Sequence, residues 1–219
     1  MIDPLAECAQ LAREYGAWYH VDAAWGGAAL ASERLRGLLA GIELGDSLTI
    51  DAHKWFATTM GCGMFITRDP QVLSQAFRVS AEFMPSSVST LDPYLNTVQW
   101  SRRFLGLRLF LALAAAGWDG YGAHVERAAA VCALVREELR TRGWSVVNDS
   151  PLAVLCAVPP PGYPPIRELV RHLLDSGRAW AAVAKFEGRE VVRVCVTSGE
   201  TSEDDVAQLV AGLEATAAR

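Results

Sequence analysis

Hydrophobic and polar positions follow two periods along this chain, short apolar runs and helical stripes, and their alternation predicts an α/β protein. Ile2, Leu5, Ala6, Ala9 and Leu11-Ala12 recur at helical spacing behind a start signal at Asp3-Pro4, and Gly16 stops them. Residues 17–22 then read as a strand, so a helix feeds a strand as in an α/β sheet. Gly26-Gly27 is read as a sharp turn, and residues 28–45 as short helices punctuated by Gly37, Gly41 and Gly45. Residues 47–51 and 61–67 are the next strands, and Asp69-Pro70 opens a short helix to about Phe77. The runs ending at Asp22 and Asp51 are short, apolar and closed by polar residues. That is the pattern of buried parallel strands whose carboxyl ends open onto a site.

Residues 78–98 are rich in Ser and Pro and too long for a simple connector, a length usually reserved for functional or mobile loops. Residues 98–103 are expected to lead into one long helix through Ala116, and a second helix runs from about Tyr121 to Arg142. Within the first, Phe104 to Gly117 is the longest apolar stretch; Gly106 and Arg108 interrupt it, and it reads as a buried helix rather than a membrane span. Beyond Gly143 the pattern predicts strands at 144–147 and 153–158, a Pro-rich turn and a helix over 166–177. Strands near 179–186 and 190–196 precede a final helix from Ser202. Glu203-Asp204-Asp205 in that helix's first turn is read as capping, favourable with the dipole, not as a metal site.

Composition narrows the function classes. The 219 residues are 51% hydrophobic, enough for a substantial core, and a net charge of −5 leaves no electrostatic footprint for nucleic acid or anionic membrane. No leader or membrane span is expected at the start, where Met1 is followed closely by Asp3-Pro4. Cys8, Cys62, Cys132, Cys156 and Cys195 are dispersed without a CxxC pair, and the four histidines lack ligand spacing. They read as reduced thiols of a cytoplasmic protein, with no metal expected.

Candidate chemistry centres on Lys54, one of two lysines against eighteen arginines. An amine inside an apolar run can be made nucleophilic by desolvation and condense with a carbonyl, which a guanidinium cannot do. The bland alternatives are a surface Lys54 extending to solvent and an Asp22 that caps or pairs.

Two segments decide between these. His20-Val21-Asp22-Ala23-Ala24-Trp25 and Ser47 through His53-Lys54-Trp55, with Asp22 and Lys54 separated by 54−22=32 positions, closely resemble the group II pyridoxal-phosphate-dependent amino-acid decarboxylases. This is the family of the aromatic-amino-acid and glutamate decarboxylases. The resemblance implies the second half of a fold-type I large domain, a mostly parallel sheet with helices, over residues 1–104. Linker helices and a small α+β domain would follow over 105–219. It implies pyridoxal 5′-phosphate as cofactor, Lys54 as the Schiff-base lysine and Asp22 as the carboxylate that keeps the pyridine nitrogen protonated. Ala24 would pack under the ring, and His53 and Asp51 would lie near the phosphate. Ser101-Arg102-Arg103 matches the region bridging the two domains, and its arginines are read as interface salt bridges.

The resemblance begins in the middle of a family member, before which the family has an N-terminal domain, the first part of the cofactor sheet and the phosphate-binding turn. The expectation is a subunit of a split enzyme, with a separate polypeptide supplying that front half in a hetero-oligomer. The alternative is a noncatalytic scaffold or remnant, which has no use for a Schiff-base lysine. Where the family's mobile loop carries a proton-donating Tyr, an ungapped alignment places Phe83, which has no proton to donate. That change is associated in some plant relatives with decarboxylation coupled to oxidative deamination, giving an aldehyde; Tyr94, or a partner chain's Tyr, could otherwise take the role. The primary expectation is decarboxylation of an amino acid.

Overall fold

The structure is a computed structural model that describes residues 1–77 and 93–215. Helix α1 (Leu5–Glu14) leads into strand β1 (His20–Asp22), and three 3-10 segments (Gly26–Ala31, Arg36–Leu39, Ile42–Leu44) return the chain to β2 (Ser47–Asp51). Strand β3 (Gly63–Thr67) and the short α2 (Val72–Phe77) follow. The first sheet has the order β1-β2-β3. β1 and β2 are parallel, with His20 opposite Ser47 and Asp22 opposite Thr49. β3 runs antiparallel to β2, so parallel pairing is confined to the first two strands. The link over residues 52–62 is shorter than a parallel crossover requires, which forces the return.

Gly26-Gly27 serves packing rather than a turn. Neither residue has a positive φ. A Cβ on Gly27 would lie 2.6 Å from Ile50 Cγ1, so only glycine lets this segment close onto β2.

The two helices expected after residue 98 form α3 (Gly106–Thr141), broken at Gly117 by φ 67° and ψ 176°, a conformation open in practice only to glycine. Residues 98–105 stay outside the helix. The second sheet is wholly antiparallel, in the order β4-β5-β7-β6, from β4 (Ser145–Val146), β5 (Val154–Val158), β6 (Ala182–Phe186) and β7 (Arg189–Cys195). Glu187-Gly188 joins β6 to β7 with both φ angles positive, as a two-residue hairpin turn demands. Helices α4 (Ile166–Asp175) and α5 (Glu203–Glu214) complete this half. Ser202 caps α5: its hydroxyl accepts from the Asp205 N–H, and Asp205 returns a bond to the Ser202 N–H, so the capping role of the acidic cluster holds.

One apolar core runs through the chain from Ile50, Trp55 and Phe56 across Tyr121, Val125 and Cys132 of α3 to Leu155, Val192 and Leu213. Burial pushes the Cys132 thiol up to about 12, so it packs as a small hydrophobe.

The first half of α3 departs from its expected burial. Phe104 just before it, then Phe110, Leu111 and Trp118, are 77%, 66%, 56% and 64% exposed. The apolar stripe is present, but nothing among the described residues covers it. Among those residues no helix is long and apolar enough to cross a membrane.

Candidate active site

β1 and β2 run side by side, so their carboxyl ends, and the residues just beyond, open on one side of the sheet. The Asp51 N–H donates to the Ala24 carbonyl at 2.9 Å, which extends the pairing past Asp22 and ties the two strand ends together. Asp22 and Lys54 both line one cavity of about 620 Å³, as do Ala23 and Ala24. The cavity follows the unpaired edge of β1 over every residue from Tyr19 to Gly26. Ile2, Leu5 and Cys8 contribute an apolar wall, and Ser150, Leu152 and Val154 bring in the second half of the chain.

The carboxylate of Asp22 is oriented by the Ala24 N–H, which donates to Oδ1 at 3.0 Å. This is an Asx turn at the strand end, which uses the backbone N–H two positions on. The amine of Lys54 is ion-paired: Nζ lies 2.9 Å from Asp51 Oδ2, and the side chain is 40% exposed. The apolar surroundings expected of Lys54 are therefore only partial, and a carboxylate three residues back holds its amine. His53 Nδ1 lies 3.1 Å from the Cys62 carbonyl oxygen. A carbonyl only accepts, so Nδ1 carries the proton and Nε2 of the neutral ring is the basic nitrogen, 3.9 Å from Asp51 Oδ2. Asp51, His53 and Lys54 thus form one cluster, and Asp22 with Ala24 stands across the strand ends from it.

The donor set can be tested against the cofactor that the sequence resemblance implies. A carboxylate suits a pyridine nitrogen that must stay protonated, an amine suits an aldehyde, and Ala24 leaves room for a flat ring. A phosphate needs cationic or N–H donors, and no arginine lines this cavity among the described residues. The residues lining the cavity fit the ring and the aldehyde, and they include no arginine to meet a phosphate.

The turn that carries Lys54 is held in a costly shape. Ala57 has φ 52°, a left-handed conformation that costs an alanine roughly 1–2 kcal/mol. Trp55 Nε1 and Thr58 Oγ1 are buried without a partner among the described residues. Packing holds the turn: Trp55 is fully buried and stacks on Trp25 with ring centroids 4.6 Å apart, and Phe56 meets the Tyr121 ring edge-on at 5.2 Å. His124 Nε2 donates to the Trp55 carbonyl at 2.9 Å. None of these supports is evident in the linear sequence. The available signal is that Tyr121, His124 and Val125 share one face of α3, so His124 is a polar residue within an inward stripe.

On the polar face of the first sheet, the indole N–H of Trp18 donates to Ser47 Oγ at 2.8 Å. Ser47 Oγ in turn meets His20 Nδ1 at 2.8 Å, and His20 Nε2 lies 3.2 Å from Thr49 Oγ1. A second cavity of about 1050 Å³ opens on this face, lined by Trp18, His20, Phe65, Phe77, Val98 and Arg102 among others. Arg102 and Arg103 are exposed and enter no ion pair among the described residues, so the expected salt bridges do not form within them. Tyr94 packs against Trp100 with centroids 5.9 Å apart and does not line the Asp22–Lys54 cavity. Phe83 lies outside the described residues. Among the described residues no cluster of three or more His, Cys, Asp or Glu side chains is placed to hold a metal ion.

Comparison with known proteins places this arrangement. Residues 1–156 match the family model described as the pyridoxal-dependent decarboxylase conserved domain. The L-2,4-diaminobutyrate decarboxylase of Acinetobacter baumannii is 31% identical over all of this chain and 45% of the relative. The phenylacetaldehyde synthase of a Rosa hybrid cultivar is 30% identical over 94% of this chain and 44% of the relative. The crystal structure of Oryza sativa TDC with PLP and tryptamine superposes with a TM-score of 0.91 at 26% identity, over 99% of this chain and 48% of that one. The chain therefore spans a little under half the length of the proteins it matches.

Proposed function

Because this chain belongs to the pyridoxal-dependent decarboxylase family, whose cofactor is pyridoxal phosphate, we propose that it carries the reactive half of an enzyme that removes the α-carboxyl of an amino acid. The observation that carries the proposal is the shared cavity of Asp22, at the end of β1, and Lys54, in the turn just beyond the parallel β2, with Ala24 also in its lining. Lys54 is the amine that binds the cofactor's aldehyde, and Asp22 the carboxylate that faces the ring nitrogen. When bound, the pyridoxal ring supplies a sink for the electron pair left on the substrate α-carbon.

Each residue's part follows from its contacts. With Oδ1 taken by the Ala24 N–H, the second oxygen of Asp22 is left to accept a bond, and it would hold the proton on a ring nitrogen of the cofactor. Lys54 is paired as an ammonium and must lose a proton before its nitrogen can attack. The Asp51 carboxylate, 2.9 Å away, is the nearest acceptor for that proton, and Nε2 of His53 lies 3.9 Å from the same Asp51 oxygen. Trp55, fully buried and stacked on the partly buried Trp25, keeps water from behind the turn.

The proposal includes a second polypeptide that supplies the remainder of the family's architecture, in a hetero-oligomer located in the cytoplasm. On this reading the chain divides near residues 104 and 105 into a cofactor-bearing part and a C-terminal part. Three surfaces support a complement: the edges of β1 and β3 that have no strand partner among the described residues, the cavity over the polar sheet face, and the stripe of α3 exposed among those residues. The dispersed, unpaired cysteines fit a reducing compartment.

A second reading, decarboxylation coupled to oxidative deamination, is favoured by Phe83 and by the likeness to an aldehyde-forming synthase. Amine, aldehyde and peroxide measured from one incubation separate the two. The primary test is borohydride reduction of the assembled protein with pyridoxal phosphate, followed by peptide mapping. The label is expected on the peptide containing Lys54. Replacing Lys54 by Ala should abolish it and lower turnover by roughly 10³-fold or more. Retention of activity would show that the chain's role is that of a scaffold.

A further inference from the structure

We propose that His124 is a positioning residue for Lys54: through its bond to the Trp55 carbonyl it transmits the placement of the C-terminal half to the turn that carries the amine. The proposal rests on the Lys54 reading above and extends it to a residue 70 positions further along the chain (124−54=70).

The turn over residues 51–58 makes its own bonds, from the Lys54 N–H to the Asp51 carbonyl, Ala57 N–H to Lys54 and Thr58 N–H to Ala52. These do not suffice to explain its shape, because Ala57 is left-handed and two buried polar atoms lack partners. Strain of this kind persists only where surrounding structure over-determines the backbone. The Trp55 carbonyl follows the Lys54 peptide by one residue, and its bond to His124 Nε2 at 2.9 Å is the long-range hydrogen bond that reaches it. Tyr121, one helical turn earlier on the same face of α3, braces Phe56. Two adjacent residues beyond Lys54 are therefore fixed by one helix.

The other side of the imidazole is fixed as well. A Cβ on Gly199 would lie 2.9 Å from His124 Nδ1, so the loop between β7 and α5 runs against the ring where only a glycine fits. Arg127, three residues on, donates to the Thr201 carbonyl of the same loop at 3.3 Å. His124 is thus held between the C-terminal loop and the Lys54 turn, and it links the two halves of the chain behind the site. Its ring is set at Nδ1 by packing and at Nε2 by a hydrogen bond, so its donor direction is fixed. Turn and helix move together.

The test compares His124→Leu, which removes the donor, with His124→Gln, whose amide N–H can replace Nε2–H, in the full assembled protein. Hydrogen exchange at the Ala57 and Thr58 amides is read together with the rate of borohydride-trapped labelling at Lys54. In the Leu variant, exchange at these two amides should quicken roughly tenfold or more, with amides of β5 and β7 unchanged. Labelling at Lys54 should slow in parallel. The Gln variant should stay within about threefold of wild type in both readouts. Unchanged exchange in the Leu variant overturns the inference and leaves the Lys54 assignment standing. So does a Gln variant as impaired as Leu, which would make ring volume rather than the hydrogen bond the operative feature. Faster exchange throughout β5 and β7 overturns it too, as a global effect. If exchange responds as expected but the wild type is never labelled at Lys54, the reading of Lys54 falls, and the positioning role with it.

Discussion

The two sheets of this protein are finished to different degrees. In the C-terminal half, Leu155, Val192 and Val194 of the antiparallel sheet pack with Leu169 and Leu213 of α4 and α5, and these residues are almost completely buried. In the N-terminal half, β1 and β3 each pair on one side only among the described residues, Phe65 and Ile66 are about half exposed, and nothing among those residues covers the apolar stripe of α3. The proposed chemistry falls in the half whose edges are open. Under that proposal the contrast assigns stability to one region and reactivity to the other, with the latter part of α3 as the bridge.

Substitutions test that division, and the largest effect on stability is expected in the finished half. Leu155→Ala should cost about 2–5 kcal/mol, read as a shift in denaturation midpoint, whereas Phe65→Ala should change the stability of the isolated chain by less than about 0.5 kcal/mol. Equal losses would break the comparison. Gly27→Ala probes the seam between β2 and the segment after β1. The clash of its Cβ with Ile50 should cost roughly 1–3 kcal/mol, and a neutral result in a melting experiment would show that the approach relaxes freely.

Acid should produce the smallest change. The Ser32 hydroxyl bonded to Glu126, aided by Arg34, holds that carboxyl below its usual value of 4.5, and the backbone and hydroxyl of Ser202 do the same for Asp205. A carboxyl depressed in the folded state contributes stability that is fully present above its unfolded pKa and is lost as pH falls through the folded value. The melting midpoint is therefore expected to decline below about pH 4.5. Glu126→Gln should flatten that decline, and a decline of unchanged steepness would remove Glu126 as a contributor.

Much of this architecture is legible in the residues themselves. Gly117 announces the break in α3, Ser202 with Asp205 announces the last helix, and the alternating runs locate every strand to within a few positions. Asp22, Lys54 and Ala24, named from a motif, lie around one cavity, and Asp51 and His53 stand beside the amine. What stays hidden depends on distance through space. The reversed direction of β3 follows from a short link. The exposure of the α3 stripe cannot be read from periodicity, because an apolar face looks alike whether or not something covers it. Gly27 resembles any turn glycine until Ile50 is seen against it. His124, 69 residues from Trp55, offers no local sign of the carbonyl it reaches.

The stack of Trp25 on Trp55 has one more implication. Trp25 follows the acid-bearing strand by three residues, and Trp55 adjoins the amine, so the two indoles weld both reactive segments into a single rigid body. Under the proposed function, any motion during turnover falls to whatever faces this body, and the spacing of acid and amine is kept by the stack.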